Sequence, residues 1–217
     1  MRTKAMALIL GLLLGNAHAV TIRVNVLDSD GKPIGQAAVY ATPDTPQPVA
    51  RAKPKTLVID QVDKEFVNHL TIVQTGTPVS FPNHDKIRHH VYSFSEAKNF
   101  ELPLYEGTPA KPVVFDKAGV VTLGCNIHDW MSAYVLVVDS PFFALTDNQG
   151  AAQLEVPAGH GYAVSAWHPQ VKKRPPGNAK VTVAAGNSTE LALTLDLKKS
   201  FRPIRLPATA NLDAGYR

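Results

Sequence analysis

The chain has 217 residues, a formal net charge of +4 at pH 7 and 45% hydrophobic residues. This length allows one or two domains with real cores, and the mildly basic balance is not that of a nucleic-acid-binding protein. A single cysteine excludes an internal disulfide.

The first residues have the pattern of a secretory signal. Arg2 and Lys4 form a basic region, residues 5–14 an apolar run, and Ala17-His18-Ala19 a motif similar to a cleavage site. The apolar run is too short to span a bilayer. We therefore expect cleavage after Ala19 and a periplasmic or otherwise exported protein without stable membrane insertion. Removing Arg2 and Lys4 lowers the formal charge from +4 to +2.

The remaining chain predicts an all-β fold. Short stretches rich in Val, Ile, Thr and aromatic residues alternate with turn clusters of Gly, Pro and Asp, and no convincing helical period occurs. Strands are predicted at residues 20–27, 38–41, 70–74, 79–81, 89–94, 113–116, 120–125, 133–138, 151–156, 162–167, 180–183 and 190–195. Many short strands with regular turns indicate a β-sandwich.

A proline-dense stretch, residues 42–54, reads as a linker into a second unit. Residues 55–139 then form one compact sandwich that contains every candidate metal ligand. Residues 146–195 continue as further strands without a comparable set of ligands.

The most informative motif lies in residues 124–131. It holds the only cysteine, Cys125, followed by His128 and Met131 at short intervals. A thiolate, an imidazole and a thioether on one tight loop are donors that copper prefers, and a second histidine would complete a trigonal His₂Cys plane with a weak axial Met. The spacing predicts a mononuclear copper site.

The second histidine is available upstream, where the sequence offers His84, His89 and His90. Adjacent residues of a strand point to opposite faces, so His89 and His90 are not expected to share the metal. Periodicity alone does not choose between these two histidines.

Residues 55–139 resemble the cupredoxin family, which has the plastocyanin- and amicyanin-like blue-copper fold. Three motifs carry the resemblance: Gly-x-x-Val-x-Phe at residues 76–81, Asn83-x-Asp85-x-x-x-His89-x-Val91, and the strand at residues 115–125 that ends in the cysteine. The resemblance implies a Greek-key β-sandwich. It also implies copper ligation by His89, Cys125, His128 and Met131.

The chain departs from the family pattern at two places. Val121 and Leu123 replace the usual aromatic residues, which keeps the apolar character of the strand. Asp129 stands where loops of this length usually carry proline, and a carboxylate beside His128 is expected to favour the protonated imidazole. Glu101 is a remote alternative oxygen ligand.

The flanking segments show a second resemblance, to carboxypeptidase-regulatory-like β-sandwiches. It rests on the pattern of residues 24–39 and on that of residues 146–164. The resemblance implies one discontinuous domain of residues 20–54 and 140–197, with the cupredoxin domain of residues 55–139 inserted into it. Residues 198–217 remain as a basic tail.

These patterns together predict an exported one-electron carrier in which copper cycles between Cu(I) and Cu(II). No general base, paired nucleophile or open substrate site is evident, so an enzyme is not expected. Similarity to exported methylamine-utilisation-type proteins implies a dehydrogenase or a cytochrome as redox partner. The alternatives are a periplasmic copper carrier or sensor module, and a structural sandwich without metal.

Overall fold

The computed structural model describes residues 19–45, 55–172, 177–184 and 188–198, with the side chains of 177–180 left out. Nearly all of the predicted signal sequence, most of the predicted linker and nearly all of the basic tail lie outside the described residues. Within the described ranges, no helix is long and apolar enough to cross a membrane.

The described chain consists of strands and turns. The strands are β1 Ala19–Asp28, β2 Ala38–Pro43, β3 Leu57–Val58, β4 Gln61–Val62, β5 Glu65–Phe66, β6 Leu70–Gln74, β7 Thr77–Ser80, β8 His89–Ser95, β9 Lys98–Tyr105, β10 Val113–Phe115, β11 Gly119–Cys125, β12 Ser132–Val138, β13 Phe142–Leu145, β14 Ala151–Pro157, β15 His160–Trp167, β16 Gly177–Val183 and β17 Thr189–Leu195. The predicted fold class, an all-β chain with one β-sandwich flanked by a second, is confirmed.

The flanking sandwich is built from the two ends of the described chain. One sheet has the order β14-β1-β17 and the other has the order β13-β2-β15-β16. Strand β1 pairs in parallel with β17, so the first strand lies beside the last. Burial alternates along β1, so Ile22, Val24 and Val26 point into an apolar core.

The middle sandwich has a three-stranded sheet, β10-β7-β3, and a five-stranded sheet, β6-β12-β11-β8-β9, beside the short β4-β5 hairpin. Its core holds the side chains that face inward from both sheets, among them Phe81, Phe115 and Leu123. Cys125 and Met131 belong to this core, which places the predicted ligand loop at its edge.

A third apolar cluster lies between the two sandwiches. Leu70 and Ile72 of β6 and Leu136 of β12 are buried there with Ala38 of β2 and Trp167 of β15. The outer face of the five-stranded sheet is therefore covered by the flanking sandwich along β6 and β12. The prediction that the two sandwiches are separate domains with the stated boundaries stays a prediction.

The sequence prediction missed five strands, of which β9 is the longest. Strand β9 is the edge of its sheet, and several of its side chains are exposed, so its apolar pattern is weak. It also contains Pro103, which a sheet tolerates at an edge because no neighbouring strand needs the missing N–H.

Candidate metal centre

The predicted ligands come from the ends of neighbouring strands. His89 opens β8 and Cys125 closes β11, and these two strands pair through Cys125 and Val91. The loop after Cys125 is short, and hydrogen bonds within its own backbone close it. The Cys125 N–H donates to Met131 O at 3.2 Å, and the Met131 N–H donates to His128 O at 2.9 Å.

Three donor atoms converge at this end of the sandwich. Cys125 Sγ lies 3.7 Å from Nδ1 of His89 and 3.7 Å from Nδ1 of His128. One ligand atom from each of these residues lies within 4.8 Å of the others. A trigonal centre with bonds of about 2.0 Å to nitrogen and about 2.3 Å to sulfur separates those atoms by roughly 3.7 Å. The two sulfur–nitrogen separations therefore match those expected at one metal ion.

The His89 ring is fixed from behind by a carboxylate. Its side chain is fully buried, and Nε2 lies 2.7 Å from Asp85 Oδ2. Asp85 is itself held by the backbone N–H groups of Asp63 and Lys64, at 2.7 and 2.9 Å. With the proton on Nε2, Nδ1 is left as an acceptor facing the thiol, and metal sites commonly use such a carboxylate to orient a histidine.

The pKa of Asp85 reflects this arrangement. Burial of the carboxyl works to raise the pKa, but the hydrogen bonds from His89, Lys64 and Asp63 outweigh it and the pKa is lowered. Asp85 therefore stays ionised as the partner of His89 at neutral pH.

His128 is the outermost of the three donors, and its ring lies 5.2 Å from that of Trp130. Its pKa is lowered, first by burial and then by the nearby His89 and Lys64, while Asp85 works in the opposite direction. The expectation that Asp129 raises the proton affinity of His128 is wrong. Asp129 is exposed and is not among the groups that shift the pKa, although it is the next residue in sequence.

Met131 ends the ligand loop in the position that the spacing predicted. It is 1% exposed and packs in the same core cluster as Cys125. A thioether in this core would be a weak additional donor to copper. Its role as the fourth ligand stays a prediction.

His90 and Glu101 lie on the other face of the sheet. His90 Nε2 is 3.0 Å from Glu101 Oε1, and its ring packs against that of Tyr92. His89, and not His90, therefore faces Cys125, and the remote alternative of Glu101 as a ligand is not supported by its position.

A buried polar network behind the site was not predicted. The Gln61 side-chain amide donates to Tyr105 Oη and to Pro82 O, and Asn83 donates to Ile87 O and Tyr105 O. These bonds fix the backbone of residues 82–88, which leads into His89. Sequence offered no signal for them, because Gln61 and Tyr105 lie on strands that the pattern did not reveal.

Tyr105 lies close enough to the site to sense its charge. Burial, with the nearby Cys125 and Asp60 adding to it, raises the pKa of Tyr105 to about 12, against the hydrogen bond from Gln61. The phenol is therefore neutral at physiological pH and donates to Phe81 O at 2.7 Å.

Comparison with known proteins found similarity in shape alone. No family model matches the chain, and no curated protein matches it. Among solved structures, a reduced Cu(I) amicyanin mutant at pH 4 is 21% identical, with a TM-score of 0.36, and covers 46% of this chain and 99% of its own. An oxidized amicyanin mutant is 20% identical, with the same TM-score and the same shares covered.

Proposed function

We propose that the chain is an exported cupredoxin-type copper protein that carries one electron between redox partners. The single observation that carries this proposal is the meeting of the Cys125 thiol with Nδ1 of His89 and of His128, each at 3.7 Å. Two imidazoles and one thiolate are a donor set for copper, and we propose the buried Met131 as the fourth, weak ligand. Bound copper would supply reversible one-electron chemistry between Cu(I) and Cu(II).

The residues around the donors favour electron transfer over catalysis. His89 is fully buried and hydrogen-bonded to Asp85, so its position is fixed before any metal arrives. A preformed set of soft donors suits both oxidation states, so little rearrangement accompanies the transfer of an electron. The proposal includes no enzymatic activity for this site.

The exposed side of the site supports contact with another protein. Ile127 and Trp130 next to His128 are 47% and 54% exposed, and Ile87, two residues before His89, is 38% exposed. Exposed apolar side chains grouped in one place are typical of interaction sites. The partner we propose is a redox protein of the dehydrogenase or cytochrome kind, which would exchange electrons through the His128 edge.

A copper carrier is the second candidate, and the half-exposed His128 favours it. A ligand on a surface loop gives the metal a route in and out without unfolding the core. A carrier would release Cu(I) readily to an acceptor, whereas an electron carrier would retain it.

The deciding experiment compares visible and EPR spectra of the Cu(II)-loaded protein with those of Cys125→Ser and His89→Gln. We expect an intense thiolate-to-copper band with narrow copper hyperfine splitting, absent from Cys125→Ser and lost or strongly altered in His89→Gln. His90→Gln is the matched control, because this neighbouring histidine lies on the opposite face. Loss of the band in His90→Gln, or its survival in Cys125→Ser, would overturn the ligand assignment.

The two candidates separate in a second measurement on the same protein. A colourless protein that still binds Cu(I) and passes it to a chelator within seconds would favour the carrier. No copper binding in either oxidation state would refute both.

A further inference from the structure

The flanking sandwich covers β12, which leads away from the ligand loop, and β6, which pairs with β12. Leu70 and Ile72 of β6 and Leu136 and Val138 of β12 are at most 6% exposed, and Trp167 of β15 packs into the same cluster at 3%. Strand β12 begins at Ser132, directly after Met131. Part of the flanking sandwich therefore lies against the strand that fixes one end of the ligand loop.

Three rings run from the flanking sandwich toward this end. The Trp167 ring lies 6.0 Å from that of Tyr134 at an interplanar angle of 62°. The Tyr134 ring lies 5.3 Å from that of His69 at 74°. Both pairs have the edge-to-face geometry that aromatic rings prefer, so each ring restricts the tilt of the next.

His69 connects these rings to the backbone beside Met131. A hydrogen bond between its ring and the backbone of Ser132 works to raise the pKa of His69. This is the effect of a ring N–H that donates to a carbonyl oxygen, because such a bond favours the charged ring. Burial nevertheless lowers the pKa of His69, so the ring is neutral at pH 7 and has one N–H to donate. The Tyr134 N–H in turn donates to His69 O at 2.8 Å, which ties the same residue to β12 a second time.

We infer that His69 is a positioning residue for the ligand loop, through which the flanking sandwich holds Ser132 and thereby Met131 in place. The inference rests on the proposed function for its importance to copper, but it concerns contacts between protein groups alone. It gives the flanking sandwich a part in the site without any ligand of its own.

The proposed path from His69 to the ligand loop passes through two neighbouring carbonyl groups. Met131 O accepts the Cys125 N–H at 3.2 Å, and the next carbonyl along the chain, that of Ser132, is the acceptor that we assign to His69. If His69 loses its donor, the peptide next to Met131 keeps its ladder pairing with Gly124 but loses one of its restraints, and we expect the bond that closes the loop at Cys125 to weaken. The thioether would then sample several positions in place of one.

The test uses the metal-free full chain, methyl-¹³C-labelled at methionine. Methionine occurs only as Met1, Met6 and Met131, so the Met131 methyl resonance is readily assigned. His69→Phe keeps a ring against Tyr134 but removes the donor. We expect its Met131 resonance to shift and broaden and the amides of Cys125 and Met131 to exchange about tenfold faster than in wild type.

Two further variants make the result specific. His69→Gln keeps an N–H donor and should restore most of the wild-type signal. His160→Phe makes the same change at the far end of β15, roughly 23 Å along the strand from Trp167, and should leave the Met131 resonance in place. An unchanged Met131 resonance and unchanged exchange in folded His69→Phe would overturn the inference, as would equal effects in His160→Phe.

If His69→Phe does not fold, Trp167→Phe tests the same path from its other end. This variant replaces the indole that packs against Tyr134 by a smaller ring, and it should broaden the Met131 resonance less than His69→Phe would. An unaltered resonance in this variant, together with unaltered exchange at Cys125, would overturn the inference.

The copper-loaded protein gives an independent readout. His69→Phe should change the rhombicity of the Cu(II) EPR signal and the midpoint potential, and His69→Gln should not. If wild-type protein binds no copper, the proposed function fails, yet the metal-free NMR result still decides whether His69 positions Met131.

Discussion

The two sandwiches of this chain bury polar side chains for different purposes. In the flanking sandwich, Thr146 and Ser140 are buried and bond to nearby backbone, where they stabilise turns. In the middle sandwich, His89, Gln61 and Asn83 are buried together at one end. Convergence of buried polar groups on a single point, rather than their number, therefore distinguishes the sandwich with the candidate metal centre from the flanking sandwich.

The largest expected effect comes from the core of the flanking sandwich. Ile22 is fully buried, so Ile22→Ala should lower the free energy of unfolding by about 2–5 kcal/mol, and Ile22→Val by about 0.5–1.5 kcal/mol. Urea unfolding followed by circular dichroism measures both. If the copper signal disappears at the same urea concentration as the secondary structure, the sandwiches unfold as one unit. A loss below 1 kcal/mol in Ile22→Ala would contradict a packed core.

The second-largest effect is expected in acid, which should lower the stability of the contact region between the sandwiches. Burial, aided by the nearby His69, lowers the pKa of His168 to about 4 from an unfolded value of 6.5. Because the unfolded chain binds the proton more tightly, the stability from this group is fully present above pH 6.5 and is lost as pH falls toward 4. The loss is at most about 3 kcal/mol.

Unfolding free energies at pH 7.5, 6.5 and 5 measure this effect. His168→Gln has no proton to gain there, so its stability should vary less with pH over that range. Equal pH dependence in His168→Gln and wild type would show that His168 is not the responsible group.

A smaller effect is expected from the residue that orients a ligand. Asp85→Asn replaces the charged partner of His89 by a neutral amide, and its copper affinity should fall about 10–100-fold. Competition with a chromogenic chelator measures the change. Asp63→Asn is the control, since Asp63 contacts Asp85 through its backbone N–H and not through its carboxylate. Equal losses in both variants would point to general surface charge instead.

Local parts of the site were predictable from the sequence. Cys125, His128 and Met131 lie on one loop, so their spacing alone brings them near each other. The short stretches rich in strand-forming residues, bounded by turn residues, likewise predicted β1 and β6 closely. Both patterns act over a few residues and need no knowledge of the rest of the chain.

The longer-range parts were not predictable. Proximity in sequence pointed to Asp129 as the group that acts on His128, but in space His89 and Lys64 act on it. The contact of His69 with Ser132 depends on how β6 lies beside β12, and the position of Trp167 depends on how the sandwiches pack. Such pairings arise from tertiary geometry, which no single segment encodes.

The pairing of β2 with β13 has a consequence for the order of folding. These strands form an antiparallel ladder, with Ala41 opposite Phe142, so the entire middle sandwich occupies the place of a hairpin loop. Closing a flexible excursion of roughly 100 residues in place of a four-residue turn costs about 3 kcal/mol of chain entropy. Once the middle sandwich has folded and drawn its own ends together, most of that entropy has already been lost. We therefore expect the ladder between β2 and β13 to form late, after the strands that it encloses.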